Sequence, residues 1–214
     1  MIGISLGDPA GIGPEIVVRA LAERPDADVL VFGDVGVLER AAKIVGVAPP
    51  PASRVRAVTA LAPAEVTPGK PNDASGQAQL AYLTAAVDAA VAGEVRALVT
   101  APISKEWIAR AGFDFPGHTE YLAARTGISE FAMMLAGPKL RVTVATIHVP
   151  FKDVPRLLTP DGIASAIWLT AEGLARRFGI SAPRVAVAGL NPHAGEAGRF
   201  GDEEDRLVRP AIER

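Results

Sequence analysis

Three histidines are the residues of this chain whose type and setting most suggest chemistry. They are the only histidines among 214 residues, and each lies in a polar segment punctuated by glycine or proline, at residues 116–120, 147–150 and 191–195. Neutral imidazole is the commonest metal ligand in proteins, and its ordinary pKa lies near physiological pH. A lone histidine more often makes a capping or structural hydrogen bond. Three histidines in such settings favour a metal-binding or catalytic site.

Two of these histidines, His148 and His193, follow segments predicted to be strands, at residues 140–146 and 184–188. Two parallel strands would present both imidazoles at one edge of a sheet, which suits a divalent metal ion. A catalytic zinc ion normally has three protein ligands and one open position, so a third ligand is required. Four acidic residues lie nearby in the sequence, although carboxylates beside glycine turns are usually solvated. These candidates are Asp153, Glu196, Asp202 and Glu203.

A glycine-rich loop at residues 7–15 follows the first predicted strand and opens a helix. Backbone N–H groups and the helix dipole at such a position can face an anion. The spacing matches neither a Walker loop nor the Gly-x-Gly-x-x-Gly motif, so glycines that merely permit a tight turn are an equally good interpretation. Neither interpretation explains Asp8.

A second polar segment, residues 100–105, follows another strand of the buried type and ends in Lys105. Open α/β sheets bind ligands at the carboxyl ends of their strands, so Lys105 could pair with a carboxylate or phosphate, or could simply be solvated. His118 and Thr119 come shortly afterwards, directly before a predicted helix. Thr119 could serve the site or act only as the N-cap of that helix.

The elements that must position these residues alternate along the chain. Strand-like runs of apolar and β-branched residues occur at residues 2–6, 29–32, 55–58, 96–100, 140–146 and 184–188. Helices are predicted at residues 15–23, 35–45, 76–92, 105–111 and 161–178. Strands that are nearly continuous in apolar residues are buried on both faces, and their alternation with helices indicates a mostly parallel sheet. We therefore expect an α/β fold with three layers, α/β/α.

Composition and charge exclude several classes of function. The net charge is −2 and lysine and arginine form no basic run, which argues against binding to nucleic acid or to an anionic membrane. The absence of cysteine excludes disulfides and cysteine-ligated zinc. The first residues lack the features of a signal peptide, and no apolar stretch reaches the ~20 residues of a membrane span, so a cytoplasmic protein is expected.

Five segments, taken in order, resemble those of the 4-hydroxythreonine-4-phosphate dehydrogenase family. They are the glycine loop at residues 7–15, Thr100-Ala101-Pro102 with Lys105, residues 117–120, His148 with Lys152-Asp153, and residues 189–196. The most distinctive piece is Asn-Pro-His-Ala-Gly-Glu at residues 191–196. The resemblance implies a fold similar to that of isocitrate and isopropylmalate dehydrogenases.

The resemblance also implies a homodimeric, NAD-dependent enzyme of pyridoxal phosphate (vitamin B6) biosynthesis. Members of the family oxidise a phosphorylated β-hydroxy amino acid, 4-phosphooxy-threonine, and the β-keto acid that forms loses carbon dioxide. His118 and Thr119 match the family's substrate-binding pair, and His148 and His193 match two of its three metal-ligand histidines. The divalent ion, whether zinc, magnesium, manganese or cobalt, would acidify the substrate hydroxyl and stabilise the enolate. The nicotinamide would carry the hydride.

The chain departs from the family's pattern in two respects. All its histidines are already placed, so none remains as the third metal ligand. We therefore expect an N-terminal α/β domain at residues 1–135 and, at residues 136–214, the start of a second domain whose C-terminal part is absent. Ser104 stands where the vitamin B6 enzymes often carry histidine. Two alternatives follow: a dehydrogenase of phosphorylated sugar acids, threonate or erythronate 4-phosphate, and a non-catalytic binding or dimerising module.

Overall fold

A four-stranded parallel sheet forms the centre of the first part of the chain. The computed structural model describes residues 1–62 and 64–214, which divide into two compact units, Met1–Thr126 and Gly127–Arg214. The strands of the first unit are β1 (Ile2–Ser5), β2 (Val29–Gly33), β3 (Val55–Ala57) and β4 (Leu98–Thr100). Its helices are α1 (Gly13–Glu23), α2 (Val35–Val45), α3 (Asp73–Val91), α4 (Lys105–Arg110) and α5 (His118–Thr126). The expected α/β fold with a mostly parallel sheet is confirmed.

The order of the strands creates a switch point in this sheet. The order is β3-β2-β1-β4, so the chain moves outward from β1 in one direction and then returns to add β4 on the other side. Gly3 of β1 is thus paired with Leu30 on one side and with Leu98 on the other. Ligands of open α/β sheets bind outside the carboxyl ends of the strands at such a point.

Alternate residues of β2 pack into different clusters, which shows that both faces of the sheet are covered. Val29 and Val31 pack with residues of α1 and α2, whereas Leu30 and Phe32 pack with residues of α3. The far side of α3 packs against α4 and α5 through a third cluster. Side chains of a strand point alternately to opposite faces, so an entirely buried strand requires helices on both.

The boundaries of α2 show how local sequence fixes an element. Asp34 precedes the helix in an extended conformation, and its carboxylate accepts a hydrogen bond from the Val37 N–H at 3.1 Å. Gly46 ends the helix in the left-handed conformation, with φ of 73°. An N-cap with a free acceptor and a C-terminal glycine are the two commonest signals of helix ends. The helix occupies the residues predicted for it, 35–45.

The second unit, Gly127–Arg214, contains a smaller sheet of different type. Strands β5 (Met133–Ala136) and β6 (Arg141–Val144) form an antiparallel pair. The helices are α6 (Val154–Leu157), α7 (Pro160–Phe178) and α8 (Arg209–Ile212), and a π-helical turn, Glu204–Val208, leads into α8. A small buried cluster joins α7 to this C-terminal helical segment through Ile163, Leu207, Val208 and Ala211.

One predicted strand, residues 184–188, is wrong. Val185 and Val187 are half-buried and alternate with exposed neighbours, which is the pattern of a strand, but no strand is assigned there. A strand forms only when it pairs with a neighbouring strand, and β6 pairs instead with β5, which was not predicted from the sequence. The predicted pair of parallel strands carrying His148 and His193 is therefore also wrong.

Candidate active site and metal-binding turns

The glycine loop after β1 lies against the segment that follows β4, at the switch point of the sheet. Gly7 has φ of +72°, and a Cβ atom there would lie 2.3 Å from the carbonyl oxygen of Pro102. The Asp8 N–H donates to the same oxygen at 2.9 Å. A Cβ atom on Gly13 would lie 2.5 Å from the carbonyl oxygen of Leu6. These contacts require glycine, which supports the interpretation that the glycines permit a tight turn.

Asp8, which the sequence left unexplained, is a buried residue of this loop. Its side-chain Oδ1 accepts a hydrogen bond from the Ala10 N–H at 2.9 Å. Burial raises the pKa of Asp8, and hydrogen bonds from the Ala10 N–H and the Ser75 side chain oppose that rise. The carboxylate thus stabilises the turn from within, in the manner of an Asx turn.

Lys105 begins α4 at the same end of the sheet, and its position is fixed by a buried glutamine. Gln79 on α3 is fully buried, and its Oε1 accepts a hydrogen bond from the Ser104 N–H at 2.8 Å. The Nε2 group of Gln79 has no hydrogen-bond partner among the described residues. Lys105 itself is exposed. Gln79 could not be predicted from the sequence, because only its contact in the folded protein distinguishes it from other residues of an apolar helix.

His118 begins α5 and is close enough to Lys105 for their charges to interact. Burial lowers the pKa of His118, and the positive charge of Lys105 lowers it further. The imidazole is therefore held neutral near physiological pH, and its Nε2 atom has no partner within the part of the chain that the structure describes. Thr119 is the second residue of α5, so the N-cap interpretation of Thr119 does not hold.

The two candidate metal ligands lie on turns with unusual backbone conformations. Both His148 and His193 have positive φ, 55° and 53°. The other non-glycine residues with positive φ in the described ranges all adjoin His193, and they are Ala194, Glu196 and Ala197. The left-handed region costs a residue other than glycine about 1–2 kcal/mol. Such strain concentrates at functional sites, so this clustering favours a function for both turns.

The segments that precede the two histidines line one cavity of about 260 Å³. Its lining includes Thr146, two residues before His148, and Leu190, three residues before His193. Imidazole nitrogen suits zinc and other first-row divalent ions. The donor chemistry of the two turns therefore fits two positions of such a site.

The four acidic candidates for a third ligand each have another partner. Asp153 pairs with Arg156, Glu196 with Arg199 at 3.9 Å, Asp202 with Arg206 at 3.5 Å, and Glu203 with the Asn191 amide at 2.7 Å. Within residues 1–62 and 64–214, no group of three or more histidine, cysteine or acidic side chains is arranged to hold a metal ion. His148 and His193 thus supply an incomplete set.

The carboxylate of Glu204 closes the turn that carries His193. Glu204 Oε1 accepts hydrogen bonds from the N–H groups of Leu190 and Asn191, each at 2.7 Å, and Oε2 accepts one from Asn191 Nδ2 at 3.0 Å. These hydrogen bonds lower the pKa of Glu204. Glu203, and not Glu204, was the candidate predicted from the sequence. Only the adjacent pair of glutamates in the sequence marked this position.

The proposed site residues are divided between the two units. His118 and Thr119 belong to Met1–Thr126, and His148 and His193 belong to Gly127–Arg214. In the described parts of both units, no helix is long and apolar enough to cross a membrane.

Comparison with known sequences finds one family. A profile described as pyridoxal phosphate biosynthetic protein PdxA matches residues 25–214. The chain is 51% identical to a 4-hydroxythreonine-4-phosphate dehydrogenase of Desulfosudis oleivorans, over all of this chain and 68% of that protein.

Comparison with solved structures also finds proteins named as dehydrogenases. A 4-hydroxythreonine-4-phosphate dehydrogenase from Klebsiella pneumoniae superposes with a TM-score of 0.83 and 36% identity, over all of this chain and 70% of that one. A terephthalate 1,2-cis-dihydrodiol dehydrogenase from Burkholderia xenovorans has a TM-score of 0.68 and 32% identity, over 99% of this chain and 68% of that one. Both solved structures are of proteins named as dehydrogenases.

Proposed function

Because this chain belongs to the PdxA family of pyridoxal phosphate biosynthetic proteins, we propose that it is a 4-hydroxythreonine-4-phosphate dehydrogenase dependent on NAD and a divalent metal ion. The reaction would oxidise 4-phosphooxy-threonine, and loss of carbon dioxide would follow. The observation that carries the proposal is the placement of His148 and His193 on left-handed turns beside one cavity, in a chain that matches this family.

His148 and His193 would supply two of the ligands of the metal site. A bound divalent ion would polarise the substrate hydroxyl and the carbonyl formed from it. The turns contribute orientation, because a left-handed backbone fixes the direction in which each imidazole leaves the chain. Both side chains are exposed, so they are accessible to an ion from solvent.

Substrate binding would fall to the first unit, through His118, Thr119 and Lys105. A neutral imidazole donates one hydrogen bond and accepts another, which suits a hydroxyl or a carboxylate of the substrate. The exposed ammonium group of Lys105 suits the phosphate or the carboxylate. Because the pKa of His118 is lowered, the imidazole adds no positive charge near physiological pH to that of Lys105. A homodimer is proposed from family membership only.

Ser104 favours a second candidate substrate, a phosphorylated sugar acid such as threonate or erythronate 4-phosphate. Its hydroxyl makes no capping hydrogen bond to α4, so it is available to a ligand. The similar structure from Burkholderia xenovorans is named for a different substrate, a terephthalate dihydrodiol. That name supports the idea that proteins of this fold act on different substrates. The sugar acids lack the amine of 4-phosphooxy-threonine, and side-by-side kinetics with both would decide between them.

The test is metal analysis combined with NADH formation on 4-phosphooxy-threonine, for the parent chain and three single variants. His148→Ala and His193→Ala should lose bound metal and turnover together. His118→Ala is the matched control, because it removes the remaining histidine: it should retain the metal and show a raised KM. A parent chain with neither metal nor turnover would contradict the proposal and favour the non-catalytic binding module.

A further inference from the structure

The turn that carries His193 is closed by Glu204, an acidic residue thirteen positions beyond Asn191. We propose that Glu204 is a positioning residue, which holds this turn in its left-handed conformation and thereby aims the His193 imidazole. The inference rests on the proposed function in one respect, since it takes His193 to be a metal ligand.

The hydrogen bonds to Glu204 come from the residues that lead into the His193 turn. All the donors to Glu204 named above belong to Leu190 and Asn191, the residues immediately before Pro192. Asn191 is extended, with φ of −90° and ψ of 156°, as expected of a residue that precedes proline. Hydrogen bonds from N–H groups to an ionised carboxylate are stronger than those between neutral groups. Glu204 therefore fixes the direction in which the chain enters the turn.

The glycines of the turn provide the space for this carboxylate. A Cβ atom on Gly189 would lie 3.3 Å from Glu204 Oε1, and a Cβ atom on Gly195 would lie 3.1 Å from Oε2. Gly195 also has φ of +82° and lies so close to Gly201 that a Cβ atom would be 2.6 Å from its carbonyl oxygen. The turn is thus folded closely around the Glu204 side chain on two sides.

Glu204 is itself attached to the best-packed part of the second unit. It is the first residue of the turn Glu204–Val208, whose last two residues, Leu207 and Val208, are buried against Ile163 of α7. An orienting residue must be held more firmly than the group it orients. His193 and Ala194 occupy a disfavoured backbone region and persist there only if their surroundings impose it. The anchored carboxylate supplies that constraint.

Of the two carboxylates that neighbour Glu204, Asp205 serves as the control, because it pairs with Arg209 and not with the turn that carries His193. Glu203 bonds to the Asn191 side chain at 2.7 Å, and Asp205 pairs with Arg209 at 3.0 Å. Asp205→Asn therefore removes the same charge from the same helical turn without removing a contact to the His193 turn. This makes it the matched control for Glu204→Gln.

The experiment has two readouts, and the first needs no metal. In the metal-free protein, hydrogen exchange of the Leu190 and Asn191 amides should be about tenfold faster in E204Q than in the parent, because hydrogen bonds to a charged group are lost. Exchange within α7 should be unchanged, and D205N should match the parent. In the second readout, zinc or cobalt should bind E204Q about tenfold more weakly or worse, the usual effect of removing a group that orients a ligand.

Each outcome supports or overturns the inference. Unchanged exchange at both amides in E204Q overturns it, and so does faster exchange with the metal affinity of the parent. Asn191→Ala provides a second variant in case E204Q does not fold. It removes one of the three donors, so exchange at Leu190 should rise by less than in E204Q, and no rise would overturn the inference. A parent chain that binds no metal would contradict the proposed function, and the exchange result would still decide whether Glu204 holds the turn.

Discussion

The two units of this chain stabilise their candidate functional residues in different ways. In the first unit, His118 and Lys105 stand at the starts of helices, and those helices pack against α3, which covers one face of the sheet. In the second unit, His148 and His193 stand on turns with positive φ. The buried apolar cluster there is small, and Leu140, Phe151 and Trp168 are largely exposed. The comparison indicates that helix packing and one buried hydrogen bond position the first set, whereas hydrogen bonds to a carboxylate hold the turn that carries His193.

The largest expected difference between the units is in the free energy of unfolding, when leucine is replaced by alanine in each of them. Leu38→Ala removes a side chain that is 1% exposed, and it should lower the free energy of unfolding by about 3 kcal/mol. Leu157→Ala removes a side chain of the second unit that is 54% exposed, and the change should stay within about 0.5 kcal/mol. Urea unfolding followed by circular dichroism measures both. Equal losses would contradict the exposed position of Leu157.

A smaller effect is expected from the helix caps of the two units. Asp34 is buried and accepts hydrogen bonds from the Val37 and Leu61 N–H groups, the latter at 2.7 Å. Asp34→Ala should therefore cost about 2–3 kcal/mol, because a cap is lost and a buried donor is left without a partner. Thr159 caps α7 through the Gly162 N–H alone and is exposed, so Thr159→Ala should cost about 1 kcal/mol. Thermal unfolding of both variants measures the two losses of stability. A larger loss for Thr159→Ala than for Asp34→Ala would contradict the difference drawn between the two units.

The smallest expected effect is the pH dependence of stability that arises from His118. It tests whether the imidazole is buried in the first unit. The pKa of His118 is lowered, so the folded protein binds this proton less readily than the unfolded chain does. The stabilising contribution is present above pH 6.5, the ordinary value, and is lost as the pH falls through 6.5 toward the lower folded pKa.

NMR titration of the imidazole measures this directly. The midpoint in the parent should lie below 6.5, and Lys105→Gln should move it upward without restoring it fully, because burial is the larger cause. Lys70→Gln is the control, since Lys70 is exposed and does not contribute to the shift of His118. A midpoint at 6.5 or above in the parent would show that His118 is not buried as described.

The sequence predicted the first unit well, because each element there carries its own local signals. The Asp34 cap and Gly46 set the ends of α2, and the continuous apolar run at residues 29–32 identified a strand covered on both faces. The second unit was predicted less well. Residues 184–188 have the alternation of a strand, but pairing depends on a partner that local sequence does not specify.

The candidate site was also predictable from the sequence only in part. The types of residue were evident from the sequence, since histidines between glycine and proline are conspicuous. The contacts that orient them were not, because Glu204 and Gln79 act on segments thirteen or more positions away. Whether His118, Thr119, His148 and His193 have the roles proposed for them stays a prediction.

The order of strands in the first sheet has a consequence for the synthesis of the protein. During translation, β1 and β2 leave the ribosome early, and their parallel pairing can begin once α1 has formed between them. The other side of β1 stays unpaired until Leu98 emerges to meet Gly3. Pairings between residues so far apart form slowly and leave a strand edge exposed to association with other chains. The nascent first unit should therefore be most dependent on chaperones while α3 is being made, and much less so once Thr126 has emerged.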